Sequence, residues 1–186
     1  MNNLVRAFLC IDIDDDMLLS RVSQIQQKLD QQAAKMKIVE INNIHFTLRF
    51  FGDTSIEKIN QIREHLEKIE IEPFEIIIGG VGAFPNKKRP RVVWIGVTLH
   101  GEQVRDLKQD IDSLLQSIGY QPERRKYTPH ATIARIRQVN DTGRIASNLE
   151  DLVDEPIGTM TVSGFKMMKS TLTPSGPIYD VLWNIP

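Results

Sequence analysis

Residues 45–48 read His-Phe-Thr-Leu, and residues 130–133 read His-Ala-Thr-Ile. These two stretches, the first and second His-x-Thr segments, share one pattern of side chains and lie 85 positions apart. Because successive side chains of a strand point to opposite faces, each segment places an imidazole and a hydroxyl on one face. Two such strands that meet across a cleft would supply two acid-base groups and two hydroxyl donors.

The same offset aligns the sequence around the two segments as a pattern of secondary structure. An apolar run that starts with arginine precedes each histidine by 39 positions, at residues 6–13 and 91–98. Apolar residues at helical spacing follow each run and each His-x-Thr segment, and each half closes with another apolar run, at residues 74–84 and 160–165. The order strand, helix, strand, helix, strand in each half predicts two α+β lobes related by pseudo-twofold symmetry.

Other signals place the boundaries of these elements. Thr54 and Glu57 form a capping-box pattern at the start of the helix that follows the first segment. Residues 85–90 contain two prolines and three basic residues without an apolar period, which is typical of a loop, and we expect this loop to bridge the lobes. The run at residues 178–183 predicts a last strand. All 186 residues fit a single domain, residues 1–186, in which each lobe contributes one histidine.

Composition narrows the class of protein. The formal charge of −1 excludes a protein that coats nucleic acid by bulk electrostatics. The apolar runs are too short to cross a membrane, and the N-terminus does not read as a signal peptide, so we expect a cytoplasmic protein. Cys10 is the single cysteine and lies within an apolar run, which predicts a buried structural thiol.

The repeated histidine indicates chemistry, because a structural role would not require threonine two positions later in both halves. Imidazole titrates near pH ~6.5, so a pair can hold one neutral and one protonated ring at neutral pH. One ring can accept a proton from an attacking hydroxyl or water while the other donates a proton to a leaving oxygen. Threonine hydroxyls beside them can bind the non-bridging oxygens of a phosphate. Such a site needs no metal and no cofactor.

Zinc binding by His45 and His130 is the competing interpretation. A zinc site needs at least a third protein ligand, and none of the Cys/His spacings in the chain is typical of one. The residues that flank both segments are apolar or basic, and arginine beside the site favours an oxyanion over a metal ion. The pattern therefore disfavours zinc.

Five stretches in a fixed order carry a resemblance to a known family. They are RAFLCIDI at 6–13, NIHFTLRFFGD at 43–53, GGVGAFPNKKRPRVVWIGV at 79–97, YTPHATIARI at 127–136 and GPIYDVLW at 176–183. With these motifs the chain resembles the two-histidine (2H) phosphoesterase superfamily, and within it the RNA 2′,3′-cyclic phosphodiesterases, often labelled 2′-5′ RNA ligases. The resemblance implies an α+β, bilobal fold in which two pseudo-symmetric antiparallel sheets line a central cleft, with helices outside.

The resemblance also implies roles for the segment residues. His45 would be the proton donor to the leaving ribose O3′, His130 the proton acceptor that activates water, and Thr47 and Thr132 the ligands of phosphate oxygens. A terminal 2′,3′-cyclic phosphate on RNA, with tRNA-derived ends among the candidates, would open to a 2′-phosphate. The reverse reaction, with a 5′-hydroxyl as nucleophile, would form a 2′-5′ linkage. A site open to an RNA end needs no second subunit, so we expect a monomer.

Two arginines compete for the phosphate. The resemblance assigns phosphate binding to Arg135, three positions after Thr132. Strict strand alternation places Arg135 on the face opposite His130, unless the strand bulges or ends there. Under the same alternation Arg49 lies on the face of His45, so it is the other candidate for the phosphate ligand.

Recognition beyond the phosphate is less determined by the sequence. Phe84, Tyr127 and Tyr179 could stack on a base or could equally serve as packing residues. Two basic clusters could guide an RNA backbone or could be solvated loops; they are Lys87, Lys88, Arg89 and Arg91, and Arg124, Arg125 and Lys126. The alternatives to the RNA enzyme are a superfamily relative that acts on another cyclic phosphate, such as ADP-ribose 1″,2″-cyclic phosphate, or on a small nucleotide, and a module that binds RNA ends without turnover.

Overall fold

Nine strands and four helices account for most of residues 4–186, the part of the chain that the computed structural model describes. A 3₁₀ turn at Ile41–Asn43 precedes the first histidine strand. The elements are β1 (Leu4–Asp12), α1 (Asp16–Lys28), β2 (Ala34–Ile38), β3 (His45–Ser55), α2 (Ile56–Leu66), β4 (Phe74–Phe84), β5 (Val92–Leu99), α3 (Gly101–Gln116), β6 (His130–Val139), α4 (Thr142–Asp151), β7 (Pro156–Val162), β8 (Phe165–Leu172) and β9 (Pro177–Ile185).

All strands join one antiparallel sheet, whose path is β7-β4-β5-β6-β3-β1-β8-β9, with β2 paired to β6. The sheet has two halves that meet where β3 lies beside β6, and the register there consists of the single pair Phe46 and Ala131. The predicted α+β class is confirmed. The two expected sheets are therefore the two halves of one sheet, joined next to His45 and His130.

In the sheet, β4 of the first half of the sequence and β8 of the second half do not pair with the strands that precede them in their own half. Each pairs instead with one or more strands of the other half. β4 pairs with β5 and β7, whereas β8 pairs with β1 and β9. Residues 85–90 consequently close a hairpin between β4 and β5, so the prediction that this loop bridges the lobes is wrong. The run predicted at residues 160–165 is also not one strand, because β7 ends at Val162 and β8 begins at Phe165.

The helices bury the apolar stripes that the sequence predicts. Examples are Val22 of α1, Ile62 of α2 and Ile111 of α3, all fully buried. Helix α2 begins one residue later than the capping-box pattern indicates: Ser55 is the N-cap, and its hydroxyl accepts a hydrogen bond from the backbone N–H of Lys58 (3.2 Å). None of the helices described in residues 4–186 is long and apolar enough to cross a membrane.

The prediction for the single cysteine is confirmed. Cys10 lies on β1 and is fully buried. Burial raises the pKa of the Cys10 thiol far above its usual value, and the neighbouring Asp12 carboxylate raises it further. The thiol is therefore held in its unreactive protonated form.

Candidate functional site

Both histidines are the first residues of their strands, His45 of β3 and His130 of β6. The residues that follow them, Phe46 and Ala131, form the pair that joins the two halves of the sheet, and both are fully buried on the core side. Because side chains alternate along a strand, the histidines and threonines of both segments point to the opposite side. We call this side, which carries His45 and His130, the histidine face.

The two imidazoles are held in the same way. Nδ1 of His45 lies 2.8 Å from the carbonyl oxygen of Asn43, and Nδ1 of His130 lies 2.6 Å from that of Thr128. A carbonyl oxygen only accepts hydrogen bonds, so in both rings Nδ1 carries the hydrogen. Nε2 of each ring is therefore the nitrogen available to a substrate, as an acceptor when the ring is neutral and as a donor when it is protonated.

Each His-x-Thr segment ends in a β-bulge. In the β1–β3 ladder the register passes from Arg49 to Thr47 and skips Leu48. In the β5–β6 ladder it passes from Ala134 to Thr132 and skips Ile133. A bulge inserts one residue and reverses the alternation of the residues beyond it. The faces of both candidate arginines are consequently opposite to those that strict alternation predicts.

The bulges separate the two arginines. Arg49 is only 7% exposed, and its guanidinium donates hydrogen bonds to the Asp112 carboxylate and to the carbonyl oxygen of Gln121 (2.6 Å). The expectation that Arg49 shares the face of His45 is thus wrong, and its contacts are structural. Arg135 is exposed, and its charge acts on both His45 and Tyr179. Arg135 therefore lies on the histidine face.

Several groups set the protonation of His45. Burial is the largest influence and lowers the pKa of His45 below its usual value. The hydrogen bond to the Asn43 carbonyl and the charge of Asp12 raise this pKa, and the charge of Arg135 lowers it. Asp12 lies directly opposite His45 in the β1–β3 ladder and forms an ion pair with Lys166 of β8.

Aromatic side chains surround both imidazoles. The ring of Phe8 stacks on His45 with centroids 4.9 Å apart, and Tyr179 meets His45 edge-on at 5.4 Å. On the other half of the sheet, Phe84 meets His130 edge-on at 4.9 Å. These contacts limit the ring orientations of both histidines, so the aromatic residues help to fix where Nε2 lies.

The three aromatic candidates for base stacking differ in environment. Tyr127 is half-buried, and its hydroxyl donates a hydrogen bond to the carbonyl oxygen of Thr47 (3.0 Å), which makes it a packing residue. Tyr179 packs edge-on against Phe8. Phe84 is 36% exposed beside His130 and remains available to a ligand. Sequence reasoning missed Phe50, which is 62% exposed and packs beside Phe8 on the histidine face, because the bulge at Leu48 reverses its direction.

Metal-binding residues do not cluster in the part of the chain that the structure describes. Within residues 4–186, no group of three or more His, Cys, Asp or Glu side chains comes together in an arrangement that could hold a metal ion. Of the other two histidines, His100 is exposed and His65 is half-buried on helix α2.

Comparison with known proteins places this geometry in a family. The model of the LigT-like phosphoesterase family matches the chain twice, at residues 13–94 and again at residues 97–179. The chain belongs to this family. The resemblance to the two-histidine (2H) phosphoesterase superfamily that the five sequence stretches carry is therefore confirmed.

Two relatives of this LigT-like protein align with it over nearly their whole length. A Methanothermobacter thermautotrophicus protein named RNA 2′,3′-cyclic phosphodiesterase is 41% identical, with 94% of this chain and 95% of the relative aligned. An Aeropyrum pernix protein of the same name is 34% identical, with 90% and 96% aligned. The crystal structure of E. coli LigT complexed with 3′-AMP has the same fold, with a TM-score of 0.76 at 21% identity over 98% of this chain and 99% of that one.

Proposed function

We propose that this LigT-like protein is an RNA 2′,3′-cyclic phosphodiesterase that opens a terminal cyclic phosphate to a 2′-phosphate by two-histidine acid-base catalysis without a metal. One observation carries the proposal. The two His-x-Thr segments open adjacent strands, turn both imidazoles and both hydroxyls to one face, and hold both rings with Nε2 free. The name that the relatives at 41% and 34% identity share supports the substrate class.

In the proposed reaction each segment residue has one task. Nε2 of His130 accepts a proton from water, and the water oxygen forms a bond to phosphorus. The P–O3′ bond breaks in line with this attack, and Nε2 of His45 donates its proton to O3′. Thr47 and Thr132 donate hydrogen bonds to the non-bridging oxygens, where negative charge accumulates. The product is a 2′-phosphate with a free 3′-hydroxyl.

Arg135 is the proposed charged ligand of the phosphate. It lies on the histidine face beyond the bulge, it is exposed, and its charge acts on His45. A guanidinium can donate two parallel hydrogen bonds to phosphate oxygens. An anion bound there would also raise the pKa of the nearby His45, which favours the protonated ring that the donor role requires.

We also propose that residues 1–186 form a single domain built from two pseudo-repeats offset by 85 residues. Three observations support this: the same bulge ends both His-x-Thr segments, the same type of hydrogen bond holds both histidines, and the family model matches the chain once in each half. In this arrangement each repeat contributes one histidine. The monomeric state and the cytoplasmic location remain predictions.

The substrate end is tested directly by product analysis. The purified protein is incubated, with chelator present, with an oligoribonucleotide that ends in a 2′,3′-cyclic phosphate. Mass spectrometry detects the addition of water, and chromatography of the digested product against authentic 2′-phosphate and 3′-phosphate standards identifies the end. We expect a 2′-phosphate. A 3′-phosphate would contradict the assigned leaving group, and loss of activity with chelator would contradict the metal-free mechanism. An unchanged end with tight binding would identify a module that binds without turnover.

A further inference from the structure

The two histidines differ in the residue that lies across the ladder from each. In the β1–β3 ladder His45 lies opposite Asp12, whereas in the β5–β6 ladder His130 lies opposite Gly96. The two half-sites otherwise match in their hydrogen bond at Nδ1 and in their bulge. A carboxylate therefore lies across the ladder from His45, and no side-chain charge lies at the matching position opposite His130.

The Asp12 carboxylate is held in place by its neighbours. Its Oδ2 lies 2.5 Å from Nζ of Lys166, and its Oδ1 accepts a weak hydrogen bond from the Cys10 thiol at 3.4 Å. Lys166 pairs with Cys10 across the β1–β8 ladder, so all three side chains belong to the same patch of the histidine face. Asp12 thus has a fixed position rather than the freedom of an exposed carboxylate.

Opposing groups face His45 from several elements. Asp12 of β1 and the Asn43 carbonyl before β3 favour the protonated ring. Arg135 of β6 favours the neutral ring, as does burial against Phe8 and the neutral Tyr179 of β9. Lys166 of β8 partly neutralises Asp12 through their ion pair. Asp12 is the one negatively charged group among those that act on His45 in the described structure.

We propose that Asp12 is the positioning residue that assigns the two catalytic roles: its carboxylate makes His45 the proton donor, and the glycine opposite His130 leaves that ring as the base. This inference rests on the proposed function. It adds the reason why two histidines in nearly symmetric surroundings take different roles, one as the proton donor and the other as the acceptor. A carboxylate stabilises an imidazolium across a ladder, because opposite charges attract strongly where water is partly excluded. Asp12 does not touch the substrate, so it acts through His45.

Two substitutions should move His45 in opposite directions. Asp12→Asn removes the charge and keeps the size, so the protonated ring loses its partner. Lys166→Met removes the cation that partly neutralises Asp12, so the protonated ring gains stabilisation. We expect the alkaline limb of the kcat profile, which reports the donor in the enzyme–substrate complex, where the bound phosphate anion raises the pKa of His45, to move to lower pH by about one unit in Asp12→Asn. In Lys166→Met it should move to higher pH.

Matched readouts separate this role from a structural one. The acid limb, which reports His130, should stay in place in both variants, and Asp12→Glu should retain the wild-type profile. An NMR titration of the unliganded protein should show the pKa of His45 lowered in Asp12→Asn and raised in Lys166→Met, whether or not turnover survives. If Asp12→Asn loses activity without any movement of the alkaline limb, Asp12 has a structural role only.

The same experiments distinguish this inference from the proposed function. If the wild-type protein opens the cyclic phosphate but neither the alkaline limb nor the pKa of His45 responds to Asp12→Asn, the inference fails and the function stands. Movement of the acid limb instead would reverse the roles of the two histidines. If the wild-type protein leaves the cyclic phosphate unchanged, the proposed function fails, and the assignment of a donor fails with it.

Discussion

At the scale of single residues, the site depends on which nitrogen of each imidazole is free and on which arginine reaches the same face. The carbonyl groups of Asn43 and Thr128 each accept a hydrogen bond from Nδ1, which leaves Nε2 of each ring available to the substrate. The β-bulges determine which arginine lies on the histidine face, because they turn Arg135 toward the histidines and Arg49 into the core. Two arginines at similar places in sequence thus have different tasks.

Substitution of the two arginines should separate catalysis from stability. We expect Arg135→Gln to lower kcat/KM about 10- to 100-fold, through loss of a charged hydrogen bond worth ~1.5–3 kcal/mol, with little change in unfolding free energy. Arg49→Met should destabilise the protein by about 3 kcal/mol, the low end for a broken buried ion pair, because Lys108 still pairs with Asp112. Steady-state kinetics and urea denaturation check both. The opposite pattern would restore Arg49 as the phosphate ligand.

At the scale of elements, the chain before the second segment is tied to the first segment. Tyr127 lies three residues before His130, and its hydroxyl donates a hydrogen bond to the Thr47 carbonyl. The two His-x-Thr segments are therefore connected through this hydrogen bond as well as through the Phe46–Ala131 pair.

Removal of that hydroxyl should loosen the connection. We expect Tyr127→Phe to lower the unfolding free energy by ~1 kcal/mol, because the Thr47 carbonyl loses this partly buried donor while packing is kept. The loss should appear in urea denaturation and be accompanied by a modest decrease in kcat. An unchanged unfolding free energy, with an unchanged rate, would show that the bond has no role in joining the segments.

The sequence predicts the elements better than it predicts their partners. Local patterns identify β1, α1, β3, α2 and β4, because apolar runs, the His-x-Thr pattern and helical spacing are all visible within a few neighbouring residues. The exchange of β4 and β8 between the halves depends on contacts that are distant in sequence, so local patterns carry no signal for it. A bulge places two adjacent residues on the buried face. In the second segment these are Ile133 and Ala134, so two adjacent apolar residues indicate the bulge in the sequence. In the first segment one of the two buried residues is the charged Arg49, so the sequence carries no such indication.

At the scale of the whole molecule, the proposed RNA partner meets a chain that is close to neutral overall. Cations are nevertheless gathered near the histidine face, where the half-buried Lys37 lies opposite the exposed Arg135 in the β2–β6 ladder. The loop cluster contributes Lys88, Arg89 and Arg91, all exposed, whereas Lys87 pairs with Glu150. We propose that these cations contact the RNA backbone beyond the cyclic phosphate.

Salt should therefore affect long and short substrates differently. We expect kcat/KM for a cyclic-phosphate-terminated oligoribonucleotide to fall steeply between about 50 and 200 mM salt, because backbone contacts release counterions. A cyclic mononucleotide should show a much smaller change. Replacing Lys88 and Arg89 with glutamine should flatten the salt dependence of the oligonucleotide, with unchanged turnover of the mononucleotide as the control. Equal salt dependence for both substrates would contradict a backbone track.

The central claim is that His45 donates the proton and His130 accepts it, and a leaving group that needs no proton tests this most directly. The measurement is turnover of a 2′,3′-cyclic phosphate analogue with sulfur in place of O3′, whose thiolate leaves without protonation. On the normal substrate, we expect His45→Ala and His130→Ala each to lose about 10²- to 10⁴-fold in rate while remaining folded. On the sulfur analogue, His45→Ala should recover most of its rate, and His130→Ala should stay inactive. Recovery of His130→Ala alone would reverse the roles, and a near-normal rate for either variant on the normal substrate would contradict two-histidine catalysis.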